Sequence, residues 1–203
     1  SGDTISFPDI FNYDGTPGDL LAIIKKKRVD AKQYTAIASL LYLIEVHLLA
    51  STGTTPKKHG RDLNLEHIYP KKPTHQKVAR KTSSSTFDPN LEFEGNNLQA
   101  ARYATKIDAH NENISRLGNF CLLDSTLNKR IQNACVYAKC FGFAPENYSG
   151  QHLRLVAEVL KHVTAQVTAM TAPKRLTWDS KLPHFNKYEK YLANQIANLF
   201  ARL

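Results

Sequence analysis

At 203 residues, 42% hydrophobic and 22% charged, the chain has the length and balance of one globular domain, or of one domain with a helical extension. Lys and Arg number 27 against 18 Asp and Glu, a net charge of +9, and eight of those cations lie in 51–82 beside only Asp62 and Glu66. That concentration suits a polyanion such as nucleic acid, and equally a solvated basic loop. Cys121, Cys135 and Cys140 are odd in number and include no CxxC pair. This excludes a disulfide framework or a four-cysteine zinc site and points to a reducing, intracellular setting.

The start, Ser1-Gly2-Asp3, with Met170 as the single methionine, reads as a piece of a longer protein. The first predicted element is a helix from about Pro17 to Arg28, with Thr16 as cap, Pro17 at its first position and Asp19 near its positive end. A second helix, about Ala31 to Leu49, follows a capping-box spacing of Asp30 and Gln33. Ile37, Leu40, Leu41, Ile44 and Leu48 form its apolar stripe. Ser39, Glu45 and His47 break the most apolar stretch, Tyr34 to Ala50, which is expected to be too short and too polar for a membrane span. After a basic connection, Leu63 to Ile68 alternates as a strand, stopped by Pro70. Residues 71–90 are basic and then Ser/Thr-rich (Thr82 to Thr86), which predicts a loop. Asn97 can cap a helix from about Leu98 to His110.

Leu117-Gly118-Asn119 predicts a turn into a strand, Phe120 to Leu123. A polar crossing, Asp124 to Asn128, then leads to a helix from about Lys129 to Phe141, ended by Gly142 and Pro145. Two more helices are predicted, at about Gln151 to Met170 and Pro183 to Leu203. The order gives an α-rich α+β fold with a small antiparallel hairpin near its middle. Three stretches of one compact domain are expected: a helical scaffold over 1–60, a core over 61–145 and C-terminal helices over 146–203.

Leu65-Glu66-His67-Ile68-Tyr69-Pro70 puts a histidine on a strand, after a carboxylate and before Ile-x-Pro. Arg116-Leu117-Gly118-Asn119-Phe120-Cys121-Leu122-Leu123 follows, and then Asn128, Asn133 and Lys139. In this order the two segments resemble the HNH-type (ββα-metal) C-terminal domain of GmrSD-like modification-dependent restriction enzymes, a type also carried by SspE-type phage-defence nucleases. The resemblance covers roughly Asp62 to Phe143, and fits the tail with Trp178 more loosely. It implies a two-stranded hairpin embedded in a helical scaffold, and a metal-dependent DNA endonuclease of a bacterial, cytoplasmic anti-phage system.

The chemistry asks for these residue types. Phosphodiester cleavage needs an activated water, charge neutralisation on the phosphate and help for the leaving oxygen. By resemblance His67 is the general base, Asn119 orients its imidazole and Asn128 completes the catalytic set. Glu66 and Asn128 are the ligands of one Mg²⁺ or Mn²⁺, and Asn133 is supporting. Many HNH nucleases have Asp where this chain has Glu66, so Asp62 is a substitute ligand to consider. Lys71, Lys72, Lys77, Arg80, Lys81, Arg130 and Lys139 are expected to meet the DNA backbone, with His75 alongside. The implied partners are DNA and an N-terminal nucleotide-hydrolysing sensor domain of the same full-length protein, with no membrane.

Plainer roles stay open for each residue. Gly118-Asn119 can be only a hairpin turn, Asn128 only the cap of a helix from Lys129, Asn133 a packing residue and Lys139 a solvated cation. Two other classes fit the same features: a non-catalytic nucleic-acid-binding module on a degenerate HNH fold, and a helical interaction domain.

Overall fold

A computed structural model describes residue 10 and residues 16–55, 60–69, 114–131, 136–141, 147–169 and 183–201. Helix α1 is Pro17–Lys26. The Thr16 hydroxyl accepts from the Asp19 N–H, and the Asp19 carboxylate accepts from the Thr16 N–H at 3.2 Å, a closed capping box. The helix stops two residues short of the expected Arg28, because the Arg28 guanidinium folds back onto the carbonyls of Lys25, Lys26 and Lys27. Asp30 and Gln33 form the second expected box. It caps a 3₁₀ turn, Ala31–Gln33, from which α2 (Tyr34–Ala50) continues.

Helix α2 is the centre of the fold. Ile37, Leu40, Leu41 and Ile44 are buried, each worth about 1.5–3 kcal/mol over exposure. With the 3₁₀ turn the segment Ala31–Ala50 reaches 20 residues at mean hydropathy 1.3, long and apolar enough by composition to cross a membrane, contrary to the expectation from sequence. Here it packs against a two-stranded sheet and two later helices, which accounts for its apolar stripe. Glu45, read above as a polar interruption, is buried and accepts from the N–H groups of Arg154 (2.6 Å) and Leu155 (3.0 Å). It caps the next long helix from outside.

The sheet pairs β1 (Leu63–His67) with β2 (Phe120–Asp124), antiparallel, with Leu63 opposite Asp124 and His67 opposite Phe120. Helix α3 (Ser125–Ile131) follows β2 directly and packs on both strands. It starts earlier than expected, because the Asp124 carboxylate accepts from the N–H groups of Thr126 and Leu127. Asn128 therefore lies inside the helix and is not its cap. Of the helix expected to reach Phe141, the described residues include the end of α3 and α4 (Val136–Phe141).

Helices α5 (Arg154–Ala169) and α6 (Pro183–Phe200) complete the described elements. Helix α6 packs on α1, α2, α5 and the 3₁₀ turn Leu117–Asn119. The Arg116 guanidinium grips both carboxylate oxygens of buried Glu189 on α6. Buried residues of α1, α2, both strands, α3, α5 and α6 form one core cluster. The fold is thus α+β and mostly helical, with a two-stranded antiparallel sheet. The helix expected over about Leu98 to His110 and the loop over 71–90 lie outside the described residues.

Candidate active site

Side chains alternate across a strand, so the neighbours Glu66 and His67 leave β1 on opposite faces. The two environments differ accordingly. Leu63 and Leu65, on the same face as His67, line a groove with Tyr34, Ala38 and Tyr42 of α2. The half-buried His67 ring stands 4.5 Å from the ring of Phe120, its cross-strand neighbour, and 5.6 Å from that of Tyr34, edge to face. The Tyr34 hydroxyl is 3.4 Å from His67 Nε2.

Glu66 points into the interior. It is 5% exposed and forms an ion pair with Lys139 of α4, which is itself fully buried. Lys139 Nζ also donates to the His67 carbonyl at 2.6 Å. The Tyr148 hydroxyl is a further hydrogen-bond partner of Glu66, and Cys121 lies against Tyr148. Burial pushes the Glu66 carboxyl above its ordinary value, while the Lys139 ammonium, the Tyr148 hydroxyl and the His67 N–H pull it back. Burial also pushes the Cys121 thiol up, which keeps it protonated and inert.

The two asparagines expected in the catalytic set meet backbone groups of the strand that carries the histidine, or of the residues just after it. Asn119 Oδ1 accepts from the Tyr69 N–H at 2.7 Å, and Asn119 Nδ2 donates to the carbonyls of Tyr69 (3.1 Å) and Ile114 (2.9 Å). The Asn119 carbonyl accepts from the Ile68 N–H at 2.8 Å. Asn119 thus fastens the two residues after His67 and does not hydrogen-bond the imidazole as expected. Asn128 Nδ2 donates to the Leu65 carbonyl at 3.4 Å, and its amide meets neither Glu66 nor His67.

Lys139 needs a correction. Expected at the DNA backbone, it is taken up by Glu66 and the His67 carbonyl, because a buried carboxylate is costly without a partner. Arg130 is exposed on α3. Asp62 sits in the 3₁₀ turn Gly60–Asp62, at the far end of β1 from His67. Lys71, Lys72, His75, Lys77, Arg80, Lys81 and Asn133 lie outside the described residues. Sequence reasoning missed Tyr34, Phe120 and Tyr148. Phe120 was accessible from the register once Asn119 was placed, whereas nothing local marks Tyr34 or Tyr148.

The described residues do not fit the expected cation. Glu66 already faces an ammonium, Asn128 turns its amide nitrogen to a backbone carbonyl, and among the described residues no three His, Cys, Asp or Glu side chains cluster as a metal site.

The family model for GmrSD restriction endonucleases, C-terminal domain, matches residues 20–181. The chain belongs to this family. No curated protein and no solved structure matches it. The GmrSD match reaches well beyond the motif region, taking in most of α1, all of α2 and α5, and ends just before α6. As a GmrSD C-terminal domain the chain is a restriction endonuclease domain in general terms, with DNA as its substrate and defence against phage as its setting.

Proposed function

We propose that this domain cuts one DNA strand by hydrolysis, as an HNH-type nuclease with His67 as the general base. The observation that carries the reading is the end of β1: a half-buried imidazole, opposite Phe120, followed by two residues fastened by Asn119, on a strand whose middle residue Leu65 is touched by Asn128. Family membership supports the reaction class. In the reaction the neutral imidazole takes a proton from water, the water oxygen bonds to phosphorus, and the bond to the leaving sugar oxygen breaks as that oxygen takes a proton from solvent. One site cuts one strand per event, so nicking is the monomer activity, and a double-strand break needs two domains or two visits.

The HNH resemblance brings Mg²⁺ or Mn²⁺ to the scissile phosphate. Glu66, the ligand expected for that ion, is instead ion-paired with Lys139. The same pair favours the second reading, a nucleic-acid-binding module that has kept the fold and not the chemistry. Under the first reading, an N-terminal nucleotide-hydrolysing domain in the same bacterial cytoplasmic protein directs the cutting, and Arg130 with Lys71, Lys72, Lys77, Arg80 and Lys81 contacts the phosphates.

A supercoiled-plasmid assay with Mg²⁺ or Mn²⁺ separates the two. Wild type should nick, and His67→Ala should be slower by about 100-fold or more. If plasmid survives equally with both proteins, in the full-length protein as well, catalysis is refuted and the binding module stands.

A further inference from the structure

The imidazole of a general base must be held in one orientation and one tautomer, and the residue expected to do so, Asn119, is spent on backbone groups of Tyr69 and Ile114. We propose that Tyr34 is the positioning residue for His67, its hydroxyl setting which ring nitrogen carries the proton. The inference rests on the reading of His67 as the base, and deepens it.

Geometry supplies the argument. The Tyr34 oxygen lies 3.4 Å from His67 Nε2, at the long end of hydrogen bonding, as is common for catalytic contacts before substrate is bound. The ring planes of Tyr34 and His67 cross at 72°, which points one ring's edge at the other's face. Phe120 closes the arrangement, 4.5 Å from His67 and 5.6 Å from Tyr34 between ring centroids. Two aromatic rings thus limit rotation of the imidazole, and the phenol adds a polar contact at a defined nitrogen.

Tyr34 is itself fixed. It is the first residue of α2, straight after a 3₁₀ turn locked by the Asp30–Gln33 capping box. Three turns of the same helix are anchored in the core through Ile37, Leu40, Leu41 and Ile44. A side chain on a rigid helix end holds position better than one on a loop. Orientation is therefore divided. Asn119 fixes the strand end that carries the histidine, and Tyr34 fixes the ring. A phenol can accept from Nε2–H or donate to Nε2, and either choice selects one neutral tautomer.

Tyr34→Phe tests this, because it removes the hydroxyl and keeps the ring. Two measurements on the full chain are needed. Ring-nitrogen chemical shifts of His67, by NMR in alkaline buffer where the ring is neutral, report the tautomer directly. They should shift in Tyr34→Phe toward a mixture of both forms. Plasmid nicking should lose about 10-fold in kcat, the usual cost of removing such a partner, with KM for DNA unchanged. Unchanged ring-nitrogen signals overturn the inference, and so does a KM effect without a kcat effect. A wild type that cuts no DNA, in the full-length protein as well, removes the nuclease reading instead. The NMR comparison still decides whether Tyr34 sets the tautomer.

Discussion

The two faces of β1 carry opposite solutions to the placing of a polar side chain. On one, His67 is half-buried among aromatic rings and leans on a phenol. On the other, Glu66 is sealed in the interior against an ammonium. Adjacent in sequence, the two residues look like one catalytic dyad, yet the alternation of the strand sends one to a surface where substrate can arrive and the other to the core. The two faces meet through the main chain, where Lys139 holds Glu66 and the His67 carbonyl together. The sharpest way to break this contrast is Lys139→Met. It leaves a buried carboxylate unpaired, and urea denaturation should show a loss of about 3–5 kcal/mol. The double variant Lys139→Met with Glu66→Gln should recover most of that loss. If Lys139→Met is as stable as wild type, the ion pair does not anchor this face of the strand.

A second test strikes the support under the histidine strand. A Cβ at Gly118 would run into the side chain of Glu189, which cannot retreat because Arg116 grips both its oxygens. Gly118→Ala should cost about 1–3 kcal/mol in the same denaturation measurement, through overpacking and not through any φ constraint. Nicking by the folded fraction should fall as well, since the displaced turn carries Asn119. An alanine variant with wild-type stability would mean that α6 is free to shift off the turn. The third test, Asp124→Ala, removes the cap of α3 and should cost about 1 kcal/mol by thermal unfolding. It should weaken nicking more than DNA binding if the α3 contact from Asn128 to Leu65 matters to the His67 face.

What was legible in the sequence follows contact range. Thr16 with Asp19 and Asp30 with Gln33 were readable because a capping box closes over three residues. The alternation at 63–68 and the apolar run after Asn119 gave both strands, and the turn between Arg116 and Phe120 gave their approach. Local chemistry misled once: Asn128 and Asp124 are both good caps four residues apart, and the structure uses Asp124. The rest was set by packing over long separations. Tyr34 meets His67 across 33 residues, Lys139 meets Glu66 across 73, and Glu45 meets Arg154 across 109. No local pattern encodes such pairs. Family resemblance gave His67 and both asparagines as a set, with Asn119 on the imidazole and Asn128 on the metal, whereas their amides go to backbone groups.

The smallest expected effect isolates what the ammonium contributes to the buried face. Glu45 is a second buried carboxylate, held by the Arg154 and Leu155 N–H groups instead of a lysine. Burial raises its pKa above the ordinary 4.5, against the pull of those N–H groups and of the Arg154 charge. The folded chain therefore holds this proton more tightly than the unfolded chain. Its contribution is fully present below pH 4.5 and is lost as pH rises through the raised folded value, at no more than about 1.4 kcal/mol per pH unit for one site. Glu45→Gln keeps an acceptor oxygen for the α5 N-terminus and removes the titration. Stability of wild type relative to this variant, from urea melts at a series of pH values, should fall as pH rises above 4.5. A flat difference would mean that the two N–H groups offset the desolvation of Glu45 in full, which Lys139 does not do for Glu66.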